Sequence, residues 1–129
     1  MTSYLEVAAG DHTFLLASAM LREIWHVAQA PELSEAVHVW RGHACAVIDC
    51  RSLFGIEASK TTAQTLLAYG ENDPPLILAV DRVIAPRRLE DDAFYPLPAS
   101  LAPLSRYFDG ISGPDAEGCL MLRWSGLSA

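Results

Sequence analysis

Three groupings in this chain carry residue types capable of chemistry: a serine among glycines, a histidine and cysteine group, and two aspartates at the ends of apolar runs. A nucleophilic serine needs a sharp elbow, a base and donors for the developing charge. Gly110-Ile111-Ser112-Gly113 lacks the second glycine of a G-x-S-x-G elbow and runs into Pro114, so it reads as a β-turn. His38, His43 and Cys45 have ligand chemistry that suits zinc, and residues 43 and 45 would share a strand face. No second pair of ligands follows at short spacing, so no metal is expected. His12 and His26 read as surface or half-buried side chains. Asp49 and Asp81 each close an apolar run before a turn, where aspartate commonly caps backbone donors. A catalytic carboxylate pair would need a cleft that separates their pKa values. Neither G-x-x-x-x-G-K-[ST] nor G-x-G-x-x-G occurs. The chain is therefore read as non-enzymatic and without a cofactor.

What remains is binding chemistry. Arg41 stands at a bend, where its guanidinium would project toward the carboxylates of a partner. The residue types alone equally allow an ordinary surface arginine, since isolated exposed ion pairs are worth only about 0–1 kcal/mol. Glu23 and Arg82 are in the same position, and Arg87 with Arg88 reads as a solvated strand face.

The elements that must position these residues are short. Val37–Trp40 enters the Arg41-Gly42 bend as a strand, and glycine there permits the positive φ of a tight reversal. Ala44–Ile48 is apolar on both faces and reads as a core strand, followed by Asp49 as the cap of a helical turn that Gly55 stops. Tyr4–Ala8 and Thr13–Ala17 flank Gly10-Asp11-His12 as an opening hairpin. Ser18–Glu23 is expected as a helical turn capped by Ser18, with Glu23 in its last turn, and 24–30 as an amphipathic strand ended by Pro31. The small, polar residues over 56–64 read as a linker between two halves. Beyond it, Thr65–Tyr69 with Leu76–Val80 and Tyr107–Ser112 with Cys119–Trp124 read as hairpins. A strand near Ile84–Leu89 leads to the acidic loop Glu90-Asp91-Asp92, and a helical turn is expected over Leu101–Tyr107.

Composition limits the class. A chain of 129 residues, 51% of them hydrophobic, supports one cored domain or two small subdomains on a shared core. Eight prolines and eight glycines spread along it favour an all-β fold over a helical bundle. A net charge of −7 with one lysine, Lys60, argues against a nucleic-acid surface. Cys45, Cys50 and Cys119 lie in apolar runs and read as buried thiols. With no basic and apolar leader at Met1-Thr2-Ser3-Tyr4 and no spanning apolar run, a reducing cytoplasmic setting without membrane insertion is expected.

Set in order along the chain, these pieces resemble a known pattern. Phe14-Leu15-Leu16-Ala17 followed by Leu21-Arg22-Glu23-Ile24 is similar to A-L-P and V-x-E-[VI] elements. Trp40-Arg41-Gly42 with Val47-Ile48-Asp49 is similar to N-L-R-G-x-x-x-P-V-I-D-L, and Val80-Asp81-Arg82-Val83 to V-D-x-V. Phe108-Asp109-Gly110-Ile111 with Gly118-Cys119-Leu120-Met121-Leu122 is similar to a closing glycine-containing hairpin. The pattern is that of the CheW-like domain family, found in the chemotaxis coupling protein and in its histidine kinase. Val39, Ala17, Ala46 and Cys50 depart from it, where the family often has Asn, Pro, Pro and Leu.

The resemblance implies an all-β fold with short helical turns: two SH3-like β-barrel subdomains, interleaved in one domain over 1–129 and sharing a hydrophobic core. It implies an adaptor coupling the cytoplasmic tip of chemoreceptors to the regulatory domain of a CheA-type histidine kinase. Arg41, Val83 and Val39 would meet the receptor, and Glu23 and Ile24 the kinase. A scaffold of pilus motility or surface sensing, or a small-ligand sensor on the same fold, stands as the alternative.

Overall fold

The computed structural model of the protein describes residues 2–27, 37–54, 64–71, 73–113 and 122–124. The opening hairpin forms as expected: β1 (Thr2–Ala9) pairs antiparallel with β2 (His12–Ala17) across a turn in which Gly10 has φ 61°. A 3-10 turn at Ser18–Met20 leads to β3 (Leu21–Val27). Then come β4 (Val37–Trp40), β5 (His43–Asp49), the single helical turn α1 (Cys50–Leu53), β6 (Gln64–Tyr69) and β7 (Leu76–Val80). After β8 (Arg82–Leu89) and β9 (Phe94–Tyr95), a 3-10 stretch at Ala99–Leu104 precedes β10 (Phe108–Ser112) and β11 (Leu122–Trp124).

The fold is all-β, with two barrel-like sheets. A six-stranded sheet has the order β8-β1-β2-β11-β10-β9, and a five-stranded sheet the order β3-β6-β7-β5-β4. The sheets are interleaved along the chain, because β1 and β2 join strands from the far end while β6 and β7 join strands that precede them. Each sheet joins distant strands through one antiparallel pair, β1 with β8 and β3 with β6, and one parallel pair, β2 with β11 and β5 with β7.

The continuous apolar runs follow from burial on both faces. Along β6 and β7, Leu67, Tyr69, Leu78 and Val80 face a core shared with Val7, Phe14, Leu16 and Phe108 of the larger sheet. The alternate residues Leu66, Ala68, Ile77 and Ala79 face the inside of the smaller barrel with Trp40 and Cys45. In the larger sheet, Tyr4 and Leu15 face the opposite way from Val7 and Phe14 and pack with Leu89 and Phe94. A period of two thus serves two cores at once.

Several expectations are corrected. Glu23 lies in β3 and not in a helical turn. The 3-10 turn ends at Met20, its N-cap is Ala17 and no side chain caps it. Only three residues carry the chain between sheets there, and β3 is claimed by backbone pairing to β6. The β5 strand is not buried on both faces: Cys45 is fully buried, but Ala44 and Ala46 are exposed, since only the barrel side of this hairpin is covered. Arg87, with its side chain 39% exposed, is a solvated cation only in part. Its Nε donates to Glu6 Oε1 at 2.7 Å, and Glu6 is 6% exposed.

The 56–64 segment does not divide the sheets, because the strands on either side of it pair within one sheet. Pro31, Gly55, residues 56–63 and Cys119 lie outside the described residues. Asp49 caps α1 as expected, its Oδ1 accepting the Arg51 N–H at 3.1 Å.

Candidate docking site

The Arg41-Gly42 bend is a two-residue turn between the paired residues Trp40 and His43, with φ 47° at Arg41 and 80° at Gly42. Positive φ at both central positions is the type I′ pattern, whose backbone twist matches the flanking strands. Glycine takes this freely, whereas an arginine held left-handed costs about 1 kcal/mol or more.

Strand β3 meets this turn through a bulge. Leu21 pairs with Tyr69 and Glu23 with Ala68, leaving Arg22 as the extra residue. In a regular strand two neighbours point to opposite faces, and a bulge re-aims them. Arg22 and Glu23 accordingly both reach Trp40. Trp40 Nε1 donates to Glu23 Oε2 at 3.1 Å, and Arg41 Nη2 donates to Glu23 Oε1 at 2.9 Å. The guanidinium carbons of Arg41 and Arg22 lie 4.6 and 5.1 Å from the Trp40 ring centroid, within cation–π range.

Strands β3 and β4 are the two edges of their sheet and share no ladder. Four interstrand steps would separate them by about 19 Å if the sheet were flat. Hydrogen bonds of 2.9–3.1 Å between them therefore require a sheet curled until its edges meet, with Glu23, Trp40 and Arg41 as the clasp.

Electrostatics fits this reading. The Arg41 hydrogen bond first, and the Trp40 hydrogen bond second, hold the Glu23 carboxyl below its ordinary range. In a carbon-detected NMR titration, Arg41→Ala is expected to raise the Glu23 midpoint, and Trp40→Phe to raise it less. Equal midpoints in all three proteins would show that the clasp does not persist in solution.

Among the residues proposed from sequence, the structure brings Arg41 and Glu23 into one ion pair, although they were assigned to different partners. Val39 is 66% exposed on β4 and Ile24 41% exposed on β3, so both present apolar surface on this sheet. Val83 lies apart, on β8 of the other sheet, half-buried against the shared core. The exposed residue beside it is Ile84, left unpaired by a bulge against Glu6 and Val7.

Trp40 and Arg22 are not singled out by the sequence, although a buried indole N–H usually finds an acceptor and an adjacent Arg-Gly turn offers a charged surface. An open cleft lined by His12, Phe54, Leu101, Leu104, Ile111 and Leu122 has mostly apolar walls. The polar residues beside it, Asp11, His12 and Thr13, sit together on one turn and do not converge from several sides. Among the described residues no group of three His, Cys, Asp or Glu could hold a metal ion, and no helix is long and apolar enough to cross a membrane.

The fold is similar to that of the scaffolding protein TtCheW from Thermoanaerobacter tengcongensis, with a TM-score of 0.77 at 16% identity, over 98% of this chain and 90% of that one. No curated protein matches the chain in sequence. The model of the CheW-like domain matches residues 3–129, and so, with nearly its whole length accounted for, this chain belongs to the CheW-like domain family.

Proposed function

We propose that the protein is a non-enzymatic chemotaxis adaptor, acting in the cytoplasm beside membrane receptors. It joins the helical cytoplasmic tip of a chemoreceptor to the regulatory domain of a CheA-type kinase. The observation that carries this reading is the clasp, in which one carboxylate, Glu23, is shared by Trp40 and the exposed Arg41. Family membership and a fold like that of a scaffolding protein support it.

Arg41 uses Nη2 on Glu23, and its side chain is 64% exposed. A guanidinium has five N–H donors, so several remain for carboxylates on a partner. Exposed Val39 and Ile24 supply apolar contact on either side of the clasp for a helix laid along the sheet. Arg41 and Val83 are assigned to the receptor with Val39, and Glu23 and Ile24 to the kinase.

A charge swap separates docking from the clasp. Arg41→Glu sets two carboxylates against each other, and receptor-tip affinity is expected to fall tenfold to a hundredfold, about 1.4–2.7 kcal/mol. Glu23→Arg/Arg41→Glu re-forms the ion pair with its charges exchanged but leaves the Trp40 Nε1–H without its acceptor, so stability recovers only to within about 1–3 kcal/mol of the parent while binding of both partners stays weak. Pull-down of a receptor cytoplasmic fragment and of the kinase regulatory domain reads the outcome. Undiminished capture of both by the swapped protein would sink the reading.

A further inference from the structure

Among the described residues the chain passes between the two sheets twice, from β2 to β3 through Ser18–Met20 and from β7 to β8 through Asp81 alone. Neutral groups hold the first passage. The Ala17 N–H donates to the Tyr69 hydroxyl at 3.0 Å, and the Gly70 N–H to the Met20 carbonyl at 2.8 Å. Ions hold the second. The Asp81 N–H donates to the Ala8 carbonyl of β1 at 2.8 Å, and its Oδ2 accepts the Gly10 N–H in the β1–β2 turn. Its Oδ1 meets Arg51 Nη2 on α1, the continuation of β5 in the other sheet.

Both side chains are well covered, at 11% exposure for Arg51 and 14% for Asp81, and neither Arg51 Nε nor Asp81 Oδ1 has a hydrogen-bond partner among the described residues, so the two groups meet as an ion pair in close contact. As a source of stability this is a poor arrangement. Apolar residues of similar volume often match or exceed a buried ion pair. What such a pair offers is place, since drawing two covered opposite charges apart leaves each of them uncompensated. The apolar core between the sheets packs closely, but a small shift within it leaves no charge uncompensated. One fixed junction leaves a pivot, and a second sets an angle.

We propose that the Asp81–Arg51 pair is a positioning lock: with the Tyr69 junction as the fixed point, it sets the angle between the two sheets. That angle fixes how Arg41 and Val39 on the smaller sheet stand relative to Val83 on the larger one. This consequence for docking rests on the adaptor reading; the lock itself does not.

The test variant is Asp81→Asn/Arg51→Gln, which removes both charges together so that neither is left buried alone. Spin labels are placed at Val39→Cys and Tyr95→Cys, 66% and 61% exposed on β4 and β9, one in each sheet, with Cys119→Ser. Pulsed electron–electron distance measurement is expected to give a distribution about twice as broad in the variant. The unlabelled variant, with its Glu23–Arg41 pair intact, is expected to bind a receptor-tip fragment several-fold more weakly than the parent.

A distribution that superimposes on the parent's overturns the lock. A broadened distribution with undiminished affinity overturns its role in docking. If the parent itself fails to bind the fragment, the adaptor reading falls and the distance measurement still decides the lock. Should the double variant not fold, Asp81→Asn, which keeps an acceptor for the Gly10 N–H, is measured in the same way.

Discussion

Trp40→Ala is expected to cost about 3–5 kcal/mol and to open the smaller sheet at its edges. Trp40 is 6% exposed and packs against Cys45, Leu66, Ala68, Ile77 and Ala79 inside the barrel. Its truncation therefore leaves a cavity that a closed sheet cannot collapse around. It also removes the Nε1–H that Glu23 accepts and the ring beneath Arg22 and Arg41.

The remaining clasp would be the Arg41–Glu23 pair, with side chains 64% and 39% exposed. An ion pair as open as that contributes about 1 kcal/mol or less, too little to hold two unladdered edges together. Trp40→Phe keeps much of the packing and loses the donor, so about 1–2 kcal/mol is expected. Denaturant unfolding gives the magnitudes. Amide exchange gives the location, with protection lost first in β3 and β4 and retained longest in β1 and β2. A loss under about 1 kcal/mol with unchanged β3 and β4 protection would show that the indole does not close the barrel.

The parts of the fold legible in the sequence are those with local causes. The turns at Gly10 and Gly42, the strands between them, and the Asp49 cap each depend on residues within a few positions. The β3 strand shows where that stops. Ser18 and the charged Glu23 look like the ends of a helical turn, yet pairing to β6, about 45 residues further along, decides the matter.

The same limit applied to the site. Arg41 and Glu23 were each found from motif spacing, but their meeting depends on the curl of a sheet whose edges they occupy. Asp81 looked like a capping aspartate, and it does accept a backbone N–H. That N–H belongs to Gly10, 71 residues away, and the pairing with Arg51 had no sequence signal at all. Arg87 was misread for a related reason: in an acidic chain a cation on an edge strand looks solvated, until register brings it beside the face carrying Tyr4 and Glu6.

Phe14→Ala is expected to cost a similar 3–5 kcal/mol, or a fall in Tm on the order of 10–20 °C, but with a different pattern of damage. Phe14 is fully buried at the centre of an aromatic group. Its ring lies 5.4 Å from Phe108, 6.0 Å from Trp124 and 6.1 Å from Phe54. Phe108 and Trp124 belong to the larger sheet, whereas Phe54 follows α1 at the end of the smaller one, so this cluster bridges the two. Edge-to-face and offset ring contacts add about 0.5–1.5 kcal/mol per pair beyond burial, and alanine forfeits three of them at once. Because the lost contacts lie in the shared core, protection should fall in β2, β6, β7 and β10 together, where Trp40→Ala lowers it first in β3 and β4. Phe14→Leu, which refills most of the volume, should recover more than half of the loss. If Phe14→Ala loosened the larger sheet alone, the two barrels would not be one cooperative unit. The angle that the Asp81–Arg51 pair is proposed to set would then have no common core to act against.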